Sequence, residues 1–305
     1  MFVCRDMEYL AHVLHCTDVL RLVTEYAWEF EAHAKEICTS NHKYVMVPSV
    51  CAASGKRFIG YTNGLLDFFD SGNATVLKTS SWINVIESVG QYLVTGAWDN
   101  TISVFRGRPF ERVYDLRGHR GSVNDLVALS RTKFASASSD WTVRVWAFRQ
   151  DRSDVLEGHS DSVNALAKLK DGRLASGSSD NTVRIWGKNG RCDMVLKGHS
   201  GGIKSLAALP CGGLASGAWD WKILMWGTDG ILRHQLVLHT APVTSLAALP
   251  DGSLISAAAD KTLICWKGSI YNPTYMSTDV NVIALRTMQL SVMSLSDTGV
   301  LTVWV

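Results

Sequence analysis

A chain of 305 residues with 47% apolar residues and only 6 prolines holds enough apolar side chain for a sizeable core and has no disordered bias. Its formal net charge of +2 excludes a dedicated nucleic-acid binder. No uninterrupted apolar run approaches the roughly 20 residues of a membrane span, and Met1 to Cys16 carries charges and histidines unlike a signal peptide.

In chain order, residues 5–27 space Met7, Leu10, Val13, Leu14, Leu20, Val23 and Tyr26 three or four apart, which predicts an amphipathic helix. Thr17-Asp18 could cap a second helical piece from Val19. The expected division is a helical extension over 1–27 and a second unit over 28–305. The run from Val13 to Val23, with Trp28, resembles the second half of an F-box, which implies a handle for a ubiquitin-ligase adaptor; a plain helix packed on the rest is the simpler reading. A zinc set from Cys4, His12, His15 and Cys16 lacks a CxxC pair, so no metal and no cofactor is expected. The 7 cysteines are odd in number and scattered, the pattern of a reducing compartment, cytoplasm or nucleus.

Phe30 to Cys38 alternates weakly and reads as a strand. Tyr44 to Thr79 and Trp82 to Leu116 are irregular units. From Leu116 to Trp266 one pattern then returns every 40 residues: His119, His159, His199, His239; Asp140, Asp180, Asp220, Asp260; Trp146, Trp186, Trp226, Trp266. Ser136, Ser176, Ser216 and Ser256 stand four residues before each aspartate, as Thr95 does before Asp99. Within one unit, Ala165 to Leu169, Arg173 to Ser176, Thr182 to Trp186 and Asp193 to Leu196 are short strands. Lys170-Asp171-Gly172, Ser179-Asp180-Asn181 and Lys188-Asn189-Gly190 are turns between them. Each unit is therefore expected to be one antiparallel four-stranded sheet.

The in-register His, Ser/Thr, Asp and Trp resemble the WD-repeat family. The resemblance implies an all-β, seven-bladed β-propeller in which each blade is locked by a buried hydrogen-bond chain through those four residues. A carboxylate in a tight turn must be satisfied when buried, and the imidazole it holds can pass the bond on to a hydroxyl and an indole N–H. The four histidines are accordingly read as structural. Third strands ending at 69, 105, 146, 186, 226, 266 and 304 count seven, with Val280 to Trp304 as the last unit. The family habit of closing the ring with an N-terminal strand assigns Phe30 to Cys38 to that last blade, which removes two open sheet edges.

No GxSxG, phosphate loop or HExxH is present, so a non-catalytic binding module is expected. A metal-dependent propeller enzyme needs several inward carboxylates. The innermost strands read Val123-Asn124-Asp125-Leu126 and Val163-Asn164-Ala165-Leu166, where only Asp125 is acidic. The resemblance implies that the residues flanking the first-strand valine, and the residue before each turn aspartate, face the top surface. With the residue after that aspartate, they nominate Trp82, Asn84, Trp98, Asn124, Trp141, Asn164, Lys204, Trp219, Trp221 and Asn281 as a partner-binding face. Tryptophans in short turns have little core to enter, and exposed aromatics on a rigid rim make binding hot spots. The alternative is that they pack on neighbouring turns.

Arg106, Arg108, Arg112, Arg117, Arg120, Arg131, Lys133, Arg149 and Arg152 make one sector basic, either a solvated rim or a surface for an acidic partner. Trp146-Ala147-Phe148-Arg149 resembles the tryptophan-to-arginine signature by which some propellers dock on cullin adaptors, without the aspartate after the tryptophan. Trp186-Gly187-Lys188-Asn189-Gly190 and Trp226-Gly227-Thr228-Asp229-Gly230 look like the ubiquitin-binding propeller of the phospholipase-activating protein family. The expectation is a monomeric scaffold within a larger complex that captures a peptide or protein on its top face. The alternative is a ubiquitin-binding adaptor or the substrate receptor of a ubiquitin ligase.

Overall fold

The computed structural model describes residues 46–53, 56–61, 65–70, 73–79, 81–107, 111–148, 153–267, 272–277, 282–288, 291–296 and 301–304. The expected helix over 5–27, the strand at Phe30 to Cys38 and Asn281 lie outside them. Among the described residues every element is a β-strand, and the strands form antiparallel sheets of consecutive strands.

The first sheet holds β1 (Met46–Ala53), β2 (Lys56–Tyr61), β3 (Leu65–Asp70) and β4 (Asn73–Lys78). The second holds β5 (Ile83–Val89), β6 (Tyr92–Ala97), β7 (Ile102–Arg106) and β8 (Glu111–Leu116). The third holds β9 (Val123–Ala128), β10 (Lys133–Ser138), β11 (Val143–Ala147) and β12 (Ser153–Leu156). The fourth holds β13 (Val163–Lys168), β14 (Leu174–Ser178), β15 (Thr182–Trp186) and β16 (Cys192–Lys197). The fifth holds β17 (Ile203–Ala208), β18 (Leu214–Ala218), β19 (Ile223–Trp226) and β20 (Leu232–Leu236). The sixth holds β21 (Val243–Ala248), β22 (Leu254–Ala258), β23 (Thr262–Lys267) and β24 (Asn272–Ser277). The last three strands, β25 (Val282–Met288), β26 (Ser291–Ser296) and β27 (Leu301–Trp304), form a three-stranded sheet.

First strands lie against first strands in chain order, β1 to β5, β9, β13, β17, β21 and β25, and β25 also lies against β1. Burial falls from the second strand to the fourth in the second to fifth sheets. The second strands β14, β18 and β22 are buried at every residue, whereas the fourth strand β20 is exposed except at Leu236. The sequence accounts for this gradient. Second strands are built of small and apolar residues, such as Leu174-Ala175-Ser176-Gly177-Ser178, that tolerate cover on both faces, while Arg233, His234 and Gln235 keep the outer edge polar.

The core sits between sheets, and one cluster joins Ala165, Ala175, Val183 and Ile185 of the fourth sheet to Ile203, Leu206 and Leu224 of the fifth. Each valine, leucine or isoleucine among them, fully buried, stabilises by about 1.5–3 kcal/mol. Close approach depends on glycine in the second strand, since a Cβ on Gly177 would stand 2.4 Å from Ile203 Cγ2 and one on Gly217 would stand 2.6 Å from Val243 Cγ1.

A bulge recurs at the start of the first strands. In β13, Val163 pairs with Ser178 and Ala165 with Gly177, so Asn164 is the extra residue, and Lys204 is the extra residue of β17 in the same way. Bulges redirect a side chain and end the ladder. Here they fall on the positions that the sequence assigns to the binding face.

Candidate functional site

Two arrangements meet at one end of the sheets, a buried polar chain inside each regular repeat and a set of exposed indoles above it.

In the fourth sheet, His159 Nδ1 stands 2.8 Å from Asp180 Oδ2 and His159 Nε2 stands 2.8 Å from Ser176 Oγ, to which Trp186 Nε1 donates at 2.8 Å. The third sheet repeats this through His119, Asp140, Ser136 and Trp146 at 2.8, 2.7 and 2.8 Å. In the sixth sheet His239, Asp260, Ser256 and Trp266 give 3.1, 2.7 and 2.9 Å. His199 is shared by both carboxylate oxygens of Asp220 at 3.0 Å, with Ser216 at 2.9 Å and Trp226 donating to that serine at 2.8 Å. An indole N–H can only donate, so the serine oxygen accepts it and gives its own hydrogen to the histidine Nε2. The proton on the ring is thereby set at Nδ1, facing the carboxylate.

The chain carries its own electrostatic signature. Burial pushes the His159, His199 and His239 pKa values down more than the paired carboxylates push them up, so these imidazoles are neutral. Burial pushes the Asp180 carboxyl up, but hydrogen bonds from Thr182, His159 and the Ser160 amide outweigh it and hold the pKa at about 2. Asp140 is held further below the carboxylate range by His119, Thr142 and the Arg120 amide, again against burial. Each of the four histidines ties its turn aspartate to the second-strand serine. In the second sheet, Thr95 and Phe105 are buried where the regular repeats have serine and tryptophan, and Asp99 is held by the Thr101 amide and hydroxyl at 3.2 and 2.5 Å.

The backbone places the nominated surface residues together. The residue before each turn aspartate donates its N–H to the residue before the first strand: Trp98 to Trp82, Ser139 to Ser122, Ser179 to Ser162, Trp219 to Gly202 and Ala259 to Pro242. Side-chain bonds then tie neighbouring sheets in register. Asn84 Nδ2 donates to Val123 O, Asn124 Nδ2 to Val163 O and Asn164 Nδ2 to Ile203 O, each at 2.9 Å. Equivalent turns therefore emerge at the same end. Trp82, Trp98, Trp141, Trp219 and Trp221 all stand there, between 49% and 58% exposed. The Trp82 and Trp98 rings meet edge to face at 5.2 Å, while Trp141 and Trp221 hold φ of +72° and +68°.

The asparagines are less available than the sequence implies. The same amide groups also reach Ser122 Oγ at 2.7 Å from Asn84, Ser139 Oγ at 3.1 Å from Asn124 and Ser179 Oγ at 2.9 Å from Asn164. Both amide hydrogens of each are engaged, so they hold sheets together before they meet any ligand.

Sequence reasoning missed a second set of inter-sheet bonds. Side chains of Glu87, Asp125, Ser205 and Ser245 accept the backbone N–H groups of Ala128, Leu166, Leu246 and Leu285 at 3.2, 2.8, 2.9 and 2.9 Å. The only signal was the recurrence of an acceptor at one first-strand register in Asp125, Ser205 and Ser245, a register that Glu87 does not share. Asp125, weighed as a metal ligand, is one of these acceptors, and among the described residues no cluster of His, Cys, Asp and Glu could hold a metal ion.

The basic sector divides. Arg117 and Arg120 lie in the loop leading to β9, at the indole end, while Arg106, Arg131 and Lys133 lie at the opposite end of their sheets. Arg112 on β8 is paired with Asp115, with Nε at 2.8 Å from Oδ1.

The family described as WD domain, G-beta repeat, matches residues 110–147, 151–187, 190–227 and 230–267, each of which contains one of the four buried His, Ser, Asp and Trp chains. The chain belongs to the WD-repeat family. WD repeats imply a protein-interaction scaffold, and the family is generally non-catalytic. No curated protein matches the chain. Among the described residues no helix is long and apolar enough to cross a membrane.

Proposed function

We propose that this WD-repeat chain is a non-catalytic scaffold that captures a peptide or protein on the end of the sheets bearing Trp82, Trp98, Trp141, Trp219 and Trp221. One observation carries the reading: the exposed tryptophans of the described residues all gather at a single end. A solvent-facing indole offers large, rigid contact area at small entropic cost, and contiguous exposed aromatics on a rigid frame mark interaction sites. Lys204 and the side-chain oxygens of Asn84, Asn124 and Asn164 supply polar contacts beside them, and Asn281, outside the described residues, is part of the proposal from the sequence alone.

The architecture that presents this face is a seven-bladed propeller. The contact of β25 with β1 supports ring closure, and the three-stranded last sheet has a place for the fourth strand that the sequence assigns to Phe30 to Cys38, which lie outside the described residues. The propeller is a monomeric part of a larger complex in the cytoplasm or nucleus. Cys192, Cys211 and Cys265, all free thiols, support a reducing compartment.

The test is affinity capture from native extract with the intact protein beside a Trp98→Ala, Trp219→Ala double variant, after both are confirmed folded. A partner retained by the first and lost by the second supports the reading and names the pathway. Ubiquitin or a ligase adaptor would then be identified directly as that partner. Identical captures overturn the reading, because the face then contributes nothing to binding.

A further inference from the structure

At the indole end the fifth sheet departs from the third and fourth at four positions, Gly202, Lys204, Trp219 and Lys222. In the third and fourth sheets the bulge residue and the residue before the turn aspartate hydrogen-bond each other, Asn124 with Ser139 and Asn164 with Ser179. In the fifth sheet the same two adjacent positions hold Lys204 and Trp219, both exposed. Thr142, Thr182 and Thr262 give their hydroxyls to the turn aspartates at 2.7, 2.7 and 2.6 Å, and Lys222 stands in their place. The residue accepting the Trp219 N–H is Gly202, where other sheets have Trp82, Ser122, Ser162 and Pro242, so no side chain there covers the turn.

Trp221 completes the set. It holds φ of +68°, a left-handed conformation that Trp141 shares in the third sheet, that Asn100 and Asn181 adopt in others and that a bulky side chain adopts at a cost. Lys204, Trp219 and Lys222 each put a large apolar or cationic group where the third and fourth sheets have a residue that hydrogen-bonds within the fold. The carboxylate of this turn, Asp220, already accepts from His199, the Ser200 amide and the Lys222 amide at 3.0, 2.8 and 3.2 Å. Lys204 and Lys222 therefore leave this turn with an excess of positive charge beside two indoles.

We infer that Lys204, Trp219, Trp221 and Lys222 form the docking point for an acidic, extended peptide segment that presents an apolar side chain to the indoles. The inference rests on the reading of this end as the binding face and names the chemistry of its partner. Carboxylates meet the two ammonium groups, and the apolar side chain desolvates against Trp219 and Trp221.

The experiment uses the full chain and short fluorescein-labelled peptides of three compositions: acidic with a central leucine or phenylalanine, acidic without it, and lysine-rich with it. Fluorescence polarisation is expected to detect the first class most tightly, with affinity falling as salt rises. Lys204→Glu and Trp219→Ala should each weaken it by about tenfold or more. Trp221→Asn should weaken it as well while raising the melting temperature by about 2 °C, which separates lost contact from lost fold.

Preference for the lysine-rich class, no binding of any class, or unchanged affinity in Trp221→Asn overturns the inference. If acidic peptides bind and respond to Trp98→Ala or Trp141→Ala but not to Lys204→Glu or Trp219→Ala, the inference fails while the face stands. If no tryptophan substitution at this end matters, both fail.

Discussion

Trp186 donates its indole N–H to Ser176 Oγ at 2.8 Å, reaching from the third strand of its sheet to the buried middle of the second. That serine is the node of the chain, because its own hydrogen goes to His159 Nε2 at 2.8 Å. Ser176→Ala leaves an indole N–H and an imidazole nitrogen unpaired in the core, a loss of about 1–3 kcal/mol. Urea unfolding should report it as a lower midpoint with an unchanged slope, whereas exposed Lys188→Ala should stay within about 0.5 kcal/mol.

The same chain makes stability depend on pH. His159, His199 and His239 have pKa values lowered by burial, so the unfolded chain binds protons below about pH 6.5 that the folded chain refuses. Their contribution is fully present above pH 6.5 and is lost as pH falls toward the folded values. Asp180, held at about 2, adds a second loss between its ordinary value of 3.8 and about 2. Both act in one direction, so the melting temperature should fall from pH 7 to pH 5 and fall again toward pH 3. A flat profile between pH 7 and pH 5 would contradict the neutral, buried assignment of the histidines.

Asn124 offers a test of the frame that holds the turns side by side. Its amide bonds Val163 O at 2.9 Å and Ser139 Oγ at 3.1 Å, linking the third sheet to the fourth. Asn124→Ala should cost about 1–2 kcal/mol. Amide exchange should quicken along β9 and β13 and remain unchanged in the sixth sheet, where Thr244 occupies the corresponding place.

The repeat and its sheets were legible because strict spacing carries them: the step from His159 to His199 and from Asp180 to Asp220 locates one turn and one network per unit. The inter-sheet bonds were not. Asn164 reads as a surface residue because alternation along a strand hides the bulge that turns it toward Ile203 O. Likewise Lys222 looks like an ordinary polar start of a strand until the threonine hydroxyls of its counterparts are seen on the aspartates. The exposure of the turn tryptophans was legible only as a choice between packing and projecting. Trp82 and Trp98 partly do both, meeting each other at 5.2 Å while staying about half exposed.

The most direct test of the binding face is oxidative footprinting of tryptophan in the protein within its native complex, compared with the protein alone. Protection should concentrate at Trp82, Trp98, Trp141, Trp219 and Trp221, with buried Trp146, Trp186, Trp226 and Trp266 silent in both states. Protection confined instead to the outer edge at Ile231 and Leu232, or to the opposite turns around Asp171 and Cys211, with the five exposed indoles as reactive as before, would contradict the account.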